Sequence, residues 1–197
     1  MTHTITVLFV PGFQEGLVDR DYTAVMTAIE RLGYEARFIP MQWQRTTQVG
    51  WRRQLHEQYS LCDPARTILA GFSFGACVAL MVAVDKNPRE LWLCSLSPLF
   101  AEFETDWSQE DWRIVGKRRL MMAQHTSLER FASRINCPTT LFLGSQEVEQ
   151  DPVMRRVVDV AMGQLADARV VIADGAGHAI DHPAYLAALS HMGSETT

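Results

Sequence analysis

A serine flanked by two glycines could act as a nucleophile in this chain. Gly71-Phe72-Ser73-Phe74-Gly75 follows the apolar run RTILA and precedes the apolar run CVALMVAVD. A sharp turn from strand to helix would strain the serine backbone and project Oγ from the sheet edge, and side chains two residues before and after it would collide. The helix that follows would point N–H groups at an anion forming beside the serine. Ser73 is therefore the candidate nucleophile, although the glycines would also allow close helix packing around an incidental serine.

A nucleophilic serine needs a base, and for this motif the expected chain order is serine, acid, histidine. Asp174-Gly175-Ala176-Gly177-His178 is a glycine-rich turn after the last apolar strand pattern, ARVVIA. His178 would thus lie at the same sheet edge as Ser73, rather than being an incidental loop histidine. His182 is the second choice, because it falls where a helix begins.

Three carboxylates compete for the role of orienting acid in the segment Gly144-Ser145-Gln146-Glu147-Val148-Glu149-Gln150-Asp151. Asp151 has an alternative role as N-cap of a helix that starts at Pro152. Glu149 has the alternative of a solvated surface charge. We expect Glu147 to be the acid, with Asp151 and Glu149 as alternatives.

The elements that must position these residues alternate between strands and helices. Short apolar, β-branched runs predict strands, and apolar residues at helical spacing predict the helices between them. This alternation is typical of a parallel sheet covered on both faces. It predicts an α/β fold, a three-layer α/β/α sandwich with a mainly parallel sheet of about six strands, in one domain over residues 1–197. The predicted strands are Thr4–Val10, Glu35–Ile39, Arg66–Ala70, Leu91–Leu96, Thr139–Leu143 and Ala168–Ala173; the predicted helices are Asp21–Leu32, Val49–Tyr59, Phe74–Asp85, Pro152–Met162 and a last one capped by Asp181 that runs to about His191.

A longer segment, residues 99–136, separates the fourth and fifth predicted strands. A structureless loop of this length is unusual, so two or three short helices are expected. The segment leaves the carboxyl end of a strand, where open α/β sheets bind ligands, and is a candidate cap. Its aromatic residues suggest an apolar acyl pocket or simply core, and its basic run Lys117-Arg118-Arg119 suggests a phosphate contact or, with better support, a solvated helix face.

The chain resembles the α/β-hydrolase superfamily. Three motifs bear the resemblance: Gly71–Gly75 as nucleophile elbow, Gly175–His178 as histidine loop, and Val10-Pro11-Gly12-Phe13 after the first strand. The resemblance implies an acid three residues after the glycine that ends the penultimate strand, which is Glu147. It also implies an oxyanion hole made by the backbone N–H groups of Phe13 and Phe74. The chain departs from the family in having Glu where Asp is usual, and Pro11 where histidine is common.

The resemblance implies a serine hydrolase that cleaves carboxylic esters or thioesters through an acyl-enzyme on Ser73, with no metal or organic cofactor. Amide or C–C bond hydrolysis would use the same residues. A binding protein that keeps the fold without turnover is the alternative from another class.

Composition limits the remaining possibilities. A formal net charge of −5 argues against a broad nucleic-acid-binding surface. We expect no signal peptide and no membrane span, reduced and mostly buried cysteines, and a cytoplasmic protein. The expected partner is a small-molecule acyl substrate, and the protein is expected to be a monomer or a homodimer.

Overall fold

A computed structural model describes residues 4–192 of the chain, and its centre is a sheet of six strands. These strands lie in the order β2-β1-β3-β4-β5-β6, and every neighbouring pair is parallel. The predicted α/β fold class is confirmed, and the described sheet is entirely parallel. In chain order the strands are β1 (Thr6–Val10), β2 (Glu35–Phe38), β3 (Thr67–Phe72), β4 (Glu90–Cys94), β5 (Thr139–Gly144) and β6 (Ala168–Ala173).

Helices cover both faces of the sheet. Alternate strand residues point to opposite faces, so Leu8 and Val10 pack in one core while Val7 and Phe9 pack in the other. The first core includes residues of α2, α3 and α8, and the second includes residues of α1 and α9. The three layers therefore agree with the predicted sandwich. The helices are α1 (Tyr22–Glu30), α2 (Gln48–Tyr59), α3 (Phe74–Lys86), α4 (Gln109–Ile114), α5 (Lys117–Ala123), α6 (Leu128–Ala132), α7 (Ser145–Gln150), α8 (Pro152–Gln164) and α9 (Pro183–Ser190).

The strand order creates a crevice at the carboxyl ends of β1 and β3. From β1 the chain crosses to β2 on one side, then returns to build β3 to β6 on the other side. Helical connections leave in opposite directions at such a point, and open α/β sheets bind ligands there. The turn after β1 and the turn after β3 are therefore neighbours.

Two predicted element boundaries were wrong for identifiable reasons. The fourth strand ends at Cys94 rather than Leu96, since Ser95 has a positive φ of 46° that an extended strand does not allow. The N-cap of α9 is His182 rather than Asp181: the imidazole of His182 accepts a hydrogen bond from Ala184 N at 3.3 Å. Asp181 instead accepts one from Asp21 N at 3.4 Å, at the start of α1.

The segment between β4 and β5 contains a 3-10 helix, Ala101–Asp106, followed by α4, α5 and α6. Short helices were expected here. The helix α5 packs against α2, and α6 packs against α3 and α8, so part of the segment extends the helical layer over one face of the sheet. Its role as a cap stays a prediction, as does the single domain over residues 1–197. Across residues 4–192, none of the helices combines the length and apolar character needed to cross a membrane.

Candidate active site

Ser73 occupies the turn between β3 and α3 in a strained conformation. Its backbone has φ 55° and ψ −116°, which is sparsely populated for a residue with a side chain. Ser73 N donates to Cys94 O at 2.8 Å, so the end of β4 helps to hold the turn. The side chain lies at the half-buried start of α3, at the carboxyl edge of the sheet.

The two glycines around Ser73 are required by close backbone approaches. A Cβ on Gly71 would lie 2.3 Å from the carbonyl oxygen of Gly75, across the turn. A Cβ on Gly75 would lie 2.2 Å from the carbonyl oxygen of Val10, at the end of β1. Both distances are far inside van der Waals contact, and backbone atoms cannot move aside as a flexible side chain can. The spacing of glycine, serine and glycine thus has the steric cause that the sequence suggested.

Glu147 and His178 come together at the same edge, although they lie in different loops. Glu147 is in the first turn of α7, directly after β5, and is only 6% exposed. Its Oε1 lies 2.5 Å from Nδ1 of His178, which follows β6. A carboxylate on Nδ1 fixes the tautomer that leaves Nε2 free to accept a proton. Its other oxygen, Oε2, accepts a long hydrogen bond of 3.5 Å from Gly144 N.

The alternative acid and base candidates have structural roles. Asp151 accepts a hydrogen bond from Val153 N at 2.9 Å and caps α8, as the sequence predicted. Glu149 is exposed on α7, and His182 caps α9. None of these three groups contacts the imidazole of His178 within residues 4–192.

Ser73 and His178 are not joined by a hydrogen bond in this structure. Over residues 4–192, Ser73 Oγ has no hydrogen-bond partner. The imidazole instead packs on Phe72, with ring centroids 4.7 Å apart and an angle of 37° between the planes. The Arg20 guanidinium lies over the same phenyl ring and donates to His178 O at 3.0 Å. Formation of a serine–histidine hydrogen bond would therefore need a local change of side-chain conformation.

Two residues that the sequence analysis missed, Ser95 and Tyr185, form a buried hydrogen-bond network with the carboxylate of Glu147. Ser95 Oγ donates to Glu147 Oε2 at 2.6 Å and lies 3.0 Å from the Tyr185 hydroxyl. Tyr185 also donates to Phe142 O at 2.8 Å, and burial raises the pKa of Tyr185 well above its usual value, which keeps the hydroxyl protonated. The sequence carried no signal for Ser95, because the apolar pattern placed it inside the predicted strand Leu91–Leu96, whereas the strand ends at Cys94.

The loop after β1 is held by a second, partly buried hydrogen-bond network. Gly12 N donates to the Tyr22 hydroxyl at 2.9 Å, and that hydroxyl donates to Glu15 Oε2 at 2.5 Å. Arg20 pairs with the other oxygen of Glu15 at 2.5 Å. Burial, assisted by the Glu15 carboxylate, raises the pKa of Tyr22 far above its usual value, so Tyr22 remains a donor. This network connects the first loop to Arg20 and hence to the His178 loop.

The two residues predicted to supply an oxyanion hole, Phe13 and Phe74, have side chains in contact. The rings of Phe13 and Phe74 stack with centroids 4.8 Å apart. Within the described residues, neither backbone N–H donates a hydrogen bond. Both amides are thus unpaired in that part of the chain, and their role as an oxyanion hole stays a prediction.

The basic run of the inserted segment divides into two kinds of residue. Lys117 and Arg118 are exposed, in agreement with a solvated helix face. Arg119 is half-buried and donates to the carbonyl oxygens of Thr46, Trp43 and Val115 at 3.0, 2.9 and 2.7 Å. Burial lowers the pKa of Arg119, and its guanidinium lies 5.3 Å from the centroid of the Phe13 ring. Arg119 therefore supports the loops around the site.

The other chemical groups show little sign of a metal site. Residues 4–192 contain no cluster of three or more His, Cys, Asp or Glu side chains that could hold a metal ion. Cys77, Cys94 and Cys137 are buried free thiols, while Cys62 is half-exposed and differs from the expected burial.

Sequence comparison gives a limited set of relatives. No family model matches the chain. Two proteins from strains of Mycobacterium tuberculosis, the uncharacterized proteins Rv2307c and MT2364, are each 32% identical to it over 117 residues. The match covers 59% of this chain, and the chain spans only 39% of the length of either relative.

Solved structures match a much larger share of this chain than the sequence relatives do, at lower sequence identity. Est1E from Butyrivibrio proteoclasticus has a TM-score of 0.75 at 18% identity, over 95% of this chain and 86% of Est1E. Another structure of Est1E contains bound ferulic acid. The mouse α/β hydrolase domain-containing protein 10 also has a TM-score of 0.75, at 15% identity over 95% of this chain and 87% of the mouse chain. These likenesses confirm the fold that the sequence motifs predicted.

Proposed function

We propose that this chain, which has the α/β-hydrolase fold, is a serine hydrolase that cleaves carboxylic ester or thioester bonds through an acyl-enzyme on Ser73. The observation that supports the proposal best is the contact of 2.5 Å between Oε1 of the buried Glu147 and Nδ1 of the more exposed His178. It occurs at the sheet edge that also presents the strained turn of Ser73. A buried carboxylate that orients an imidazole is the arrangement that activates a serine nucleophile.

The reaction would proceed in two stages, formation of the acyl-enzyme and its hydrolysis. Ser73 Oγ forms a bond to the acyl carbon while His178 Nε2 takes the hydroxyl proton. The tetrahedral intermediate then expels the alcohol or thiol, which receives that proton. Water next attacks the acyl-enzyme, gives its proton to Nε2, and releases the carboxylic acid as Oγ is reprotonated.

The remaining groups would stabilise charges that develop during these steps. Glu147 stabilises the imidazolium of His178, and it is held by Ser95 at 2.6 Å. The backbone N–H groups of Phe13 and Phe74 would receive the oxyanion. Loss of one such donor typically costs about a hundredfold to a thousandfold in rate. Because main-chain groups do this work, Pro11 in place of histidine is compatible with the proposal.

The second candidate function is a binding protein without turnover. The observation in its favour is that Ser73 Oγ has no hydrogen-bond partner in residues 4–192. Amide and C–C bond hydrolysis use the same three side chains, so assays with those substrates decide between reaction classes.

Turnover of simple substrates tests the proposal. Short p-nitrophenyl esters, acyl thioesters and methyl ferulate are assayed with the wild type, Ser73→Ala and Ser60→Ala; Ser60 is an exposed serine just after α2 and serves as the matched control. We expect hydrolysis by the wild type and Ser60→Ala and its loss in Ser73→Ala. Equal hydrolysis by all three proteins would overturn the role of Ser73. No hydrolysis by well-folded wild type, together with no fluorophosphonate adduct, would favour the binding protein.

A further inference from the structure

A cleft of about 300 Å³ lies beside the candidate nucleophile. Phe74, the residue after Ser73, lines it together with residues of the inserted segment. Its apolar surface comes from Phe74, Leu99, Val115, Leu120 and Val153. This volume is at the small end of ligand pockets, so it fits a short chain rather than a bulky group.

Ser97 connects the cleft to the nucleophile. Its backbone N–H donates to the carbonyl oxygen of Ser73 at 3.5 Å. Ser97 is 8% exposed and lines the cleft, yet its hydroxyl has no hydrogen-bond partner among the described residues. The Ser97 hydroxyl is not among the fully shielded unpaired atoms of the described residues, so it reaches the cleft and is free to bond a polar group there.

The charged residues that line the cleft, within the described part of the chain, are all acidic. Asp106, Asp111 and Asp151 line it, and no Lys, Arg or His of residues 4–192 does. Arg156 pairs with Asp106 from outside the lining, at 2.9 and 3.0 Å.

Helix capping uses only some of the acceptor oxygens of these carboxylates. Asp111 Oδ2 accepts from the backbone N–H and hydroxyl of Ser108 at 2.7 and 2.6 Å, and Asp151 Oδ1 caps α8. Within residues 4–192, Asp111 Oδ1 and Asp151 Oδ2 accept no hydrogen bond. Two carboxylates therefore keep an acceptor oxygen for a ligand.

An aromatic ring stands in the same cleft. Trp107 lines it, and its indole N–H donates to Pro98 O at 3.0 Å, which fixes the ring. Aromatic faces attract cations, above all ammonium groups, and the effect adds to that of nearby carboxylates. An anionic group would be repelled by the aspartates, and no cationic side chain of the described residues lines the cleft to offset that repulsion.

We infer that the cleft binds a cationic group of the substrate, so that the hydrolase prefers acyl esters ending in an ammonium group to esters ending in a carboxylate or phosphate. This inference rests on the proposed function. The apolar wall takes the acyl chain, Ser97 offers a hydroxyl along it, and the aspartates with Trp107 take the cation.

Three p-nitrophenyl esters of equal chain length test the inference: the hexanoate, the ω-trimethylammonio-hexanoate and the hydrogen adipate. We expect kcat/KM to be highest for the cationic ester, intermediate for the neutral one and lowest for the anionic one, with about a tenfold span. The span should shrink as NaCl is raised from about 20 mM to about 500 mM, because salt screens a half-open site.

Two variants test whether the aspartates of the cleft cause this order of kcat/KM among the three esters. Asp111→Asn and Asp151→Asn keep an oxygen acceptor for their caps, and each should reduce the cation-to-anion ratio at least about threefold. Asp159→Asn is the matched control, since Asp159 is exposed on α8 and does not line the cleft; it should leave the ratio unchanged. Thermal melts verify folding.

The possible failures can be told apart. Hydrolysis of all three esters at equal kcat/KM, or an unchanged ratio in both cleft variants, overturns the inference and leaves the proposed function intact. Absence of both turnover and a Ser73 adduct in folded protein overturns the proposed function, and this inference with it.

Discussion

Replacement of Ser95 tests how the buried acid is held. Its hydroxyl donates to Glu147 Oε2 at 2.6 Å, and the remaining donor to that oxygen is Gly144 N at 3.5 Å. A hydrogen bond to a charged group contributes about 1.5–3 kcal/mol. In Ser95→Ala the carboxylate would lose most of this stabilisation while 94% of its surface stays shielded from water, as the 6% exposure of Glu147 shows.

Two substitutions separate the hydrogen bond from the backbone strain at this position. Ser95 has φ 46°, a conformation that glycine adopts at little cost. Ser95→Ala and Ser95→Gly both remove the hydroxyl, so Ser73 in both should be phosphonylated by a fluorophosphonate about tenfold more slowly than in the wild type. Ser95→Gly should unfold at the higher temperature of the two, since it relieves about 1 kcal/mol of strain. Tyr185→Phe is the control, because it leaves the bond from Ser95 to Glu147 in place.

The assay measures phosphonylation rates by intact mass and stability by thermal melts. A positioning role predicts an equal loss of phosphonylation rate in the alanine and glycine variants despite their different stabilities. The reasoning would be refuted by wild-type phosphonylation rates in both, or by rates that follow thermal stability instead of the hydroxyl.

Three further predictions concern the rest of the molecule. Gly75→Ala should lower the free energy of unfolding by more than about 2 kcal/mol, as its Cβ would meet Val10 O at 2.2 Å; a wild-type urea midpoint would contradict this. Burial works to raise the pKa of Glu102, but hydrogen bonds from Ser127 Oγ and from the backbone of Leu128 and Glu129 outweigh it and lower the pKa. The stability that the lowered pKa of Glu102 contributes is present above the unfolded pKa and is lost as pH falls through the folded pKa. Glu102→Gln should therefore melt at a lower temperature than the wild type at neutral pH, and its melting temperature should fall less on acidification. Melting temperatures of the two proteins that change in parallel from neutral to acidic pH would disprove this. Burial raises the pKa of Cys77 to about 12 and of Cys137 to about 11, so at about pH 8 a thiol reagent should label Cys62 alone in native protein, and fast labelling of a second thiol would be inconsistent with this packing.

Local patterns predicted the elements and the nucleophile turn because both depend on residues that are near in sequence. Apolar runs indicated all six strands, and the collisions at Gly71 and Gly75 arise within one turn and with the adjacent strand β1. The placement of His178 at the edge of Ser73 followed from the rule that parallel strands share a carboxyl edge, while the position of Glu147 was implied by the resemblance to the α/β-hydrolase superfamily.

The support around the acid could not be predicted in the same way. Ser95 lies 52 positions from Glu147 and 90 from Tyr185, and the apolar pattern of its strand gives no information on such polar contacts. Ser95 even appeared to belong to the strand, because a single positive φ leaves no mark in hydrophobicity. The same holds for the aspartates of the cleft: Asp106 and Asp111 lie in the inserted segment and Asp151 caps α8, and only the fold brings these two parts of the chain together.

The central claim is that the Glu147–His178 pair activates Ser73, and covalent labelling tests it most directly. The protein is mixed with a fluorophosphonate, followed by intact mass and peptide mapping, for the wild type, Ser73→Ala and His178→Ala. The account predicts one adduct, mapped to Ser73, that is absent in Ser73→Ala and forms at least about a hundredfold more slowly in His178→Ala. A folded wild type that forms no adduct, or an adduct that forms as fast without His178, would contradict it.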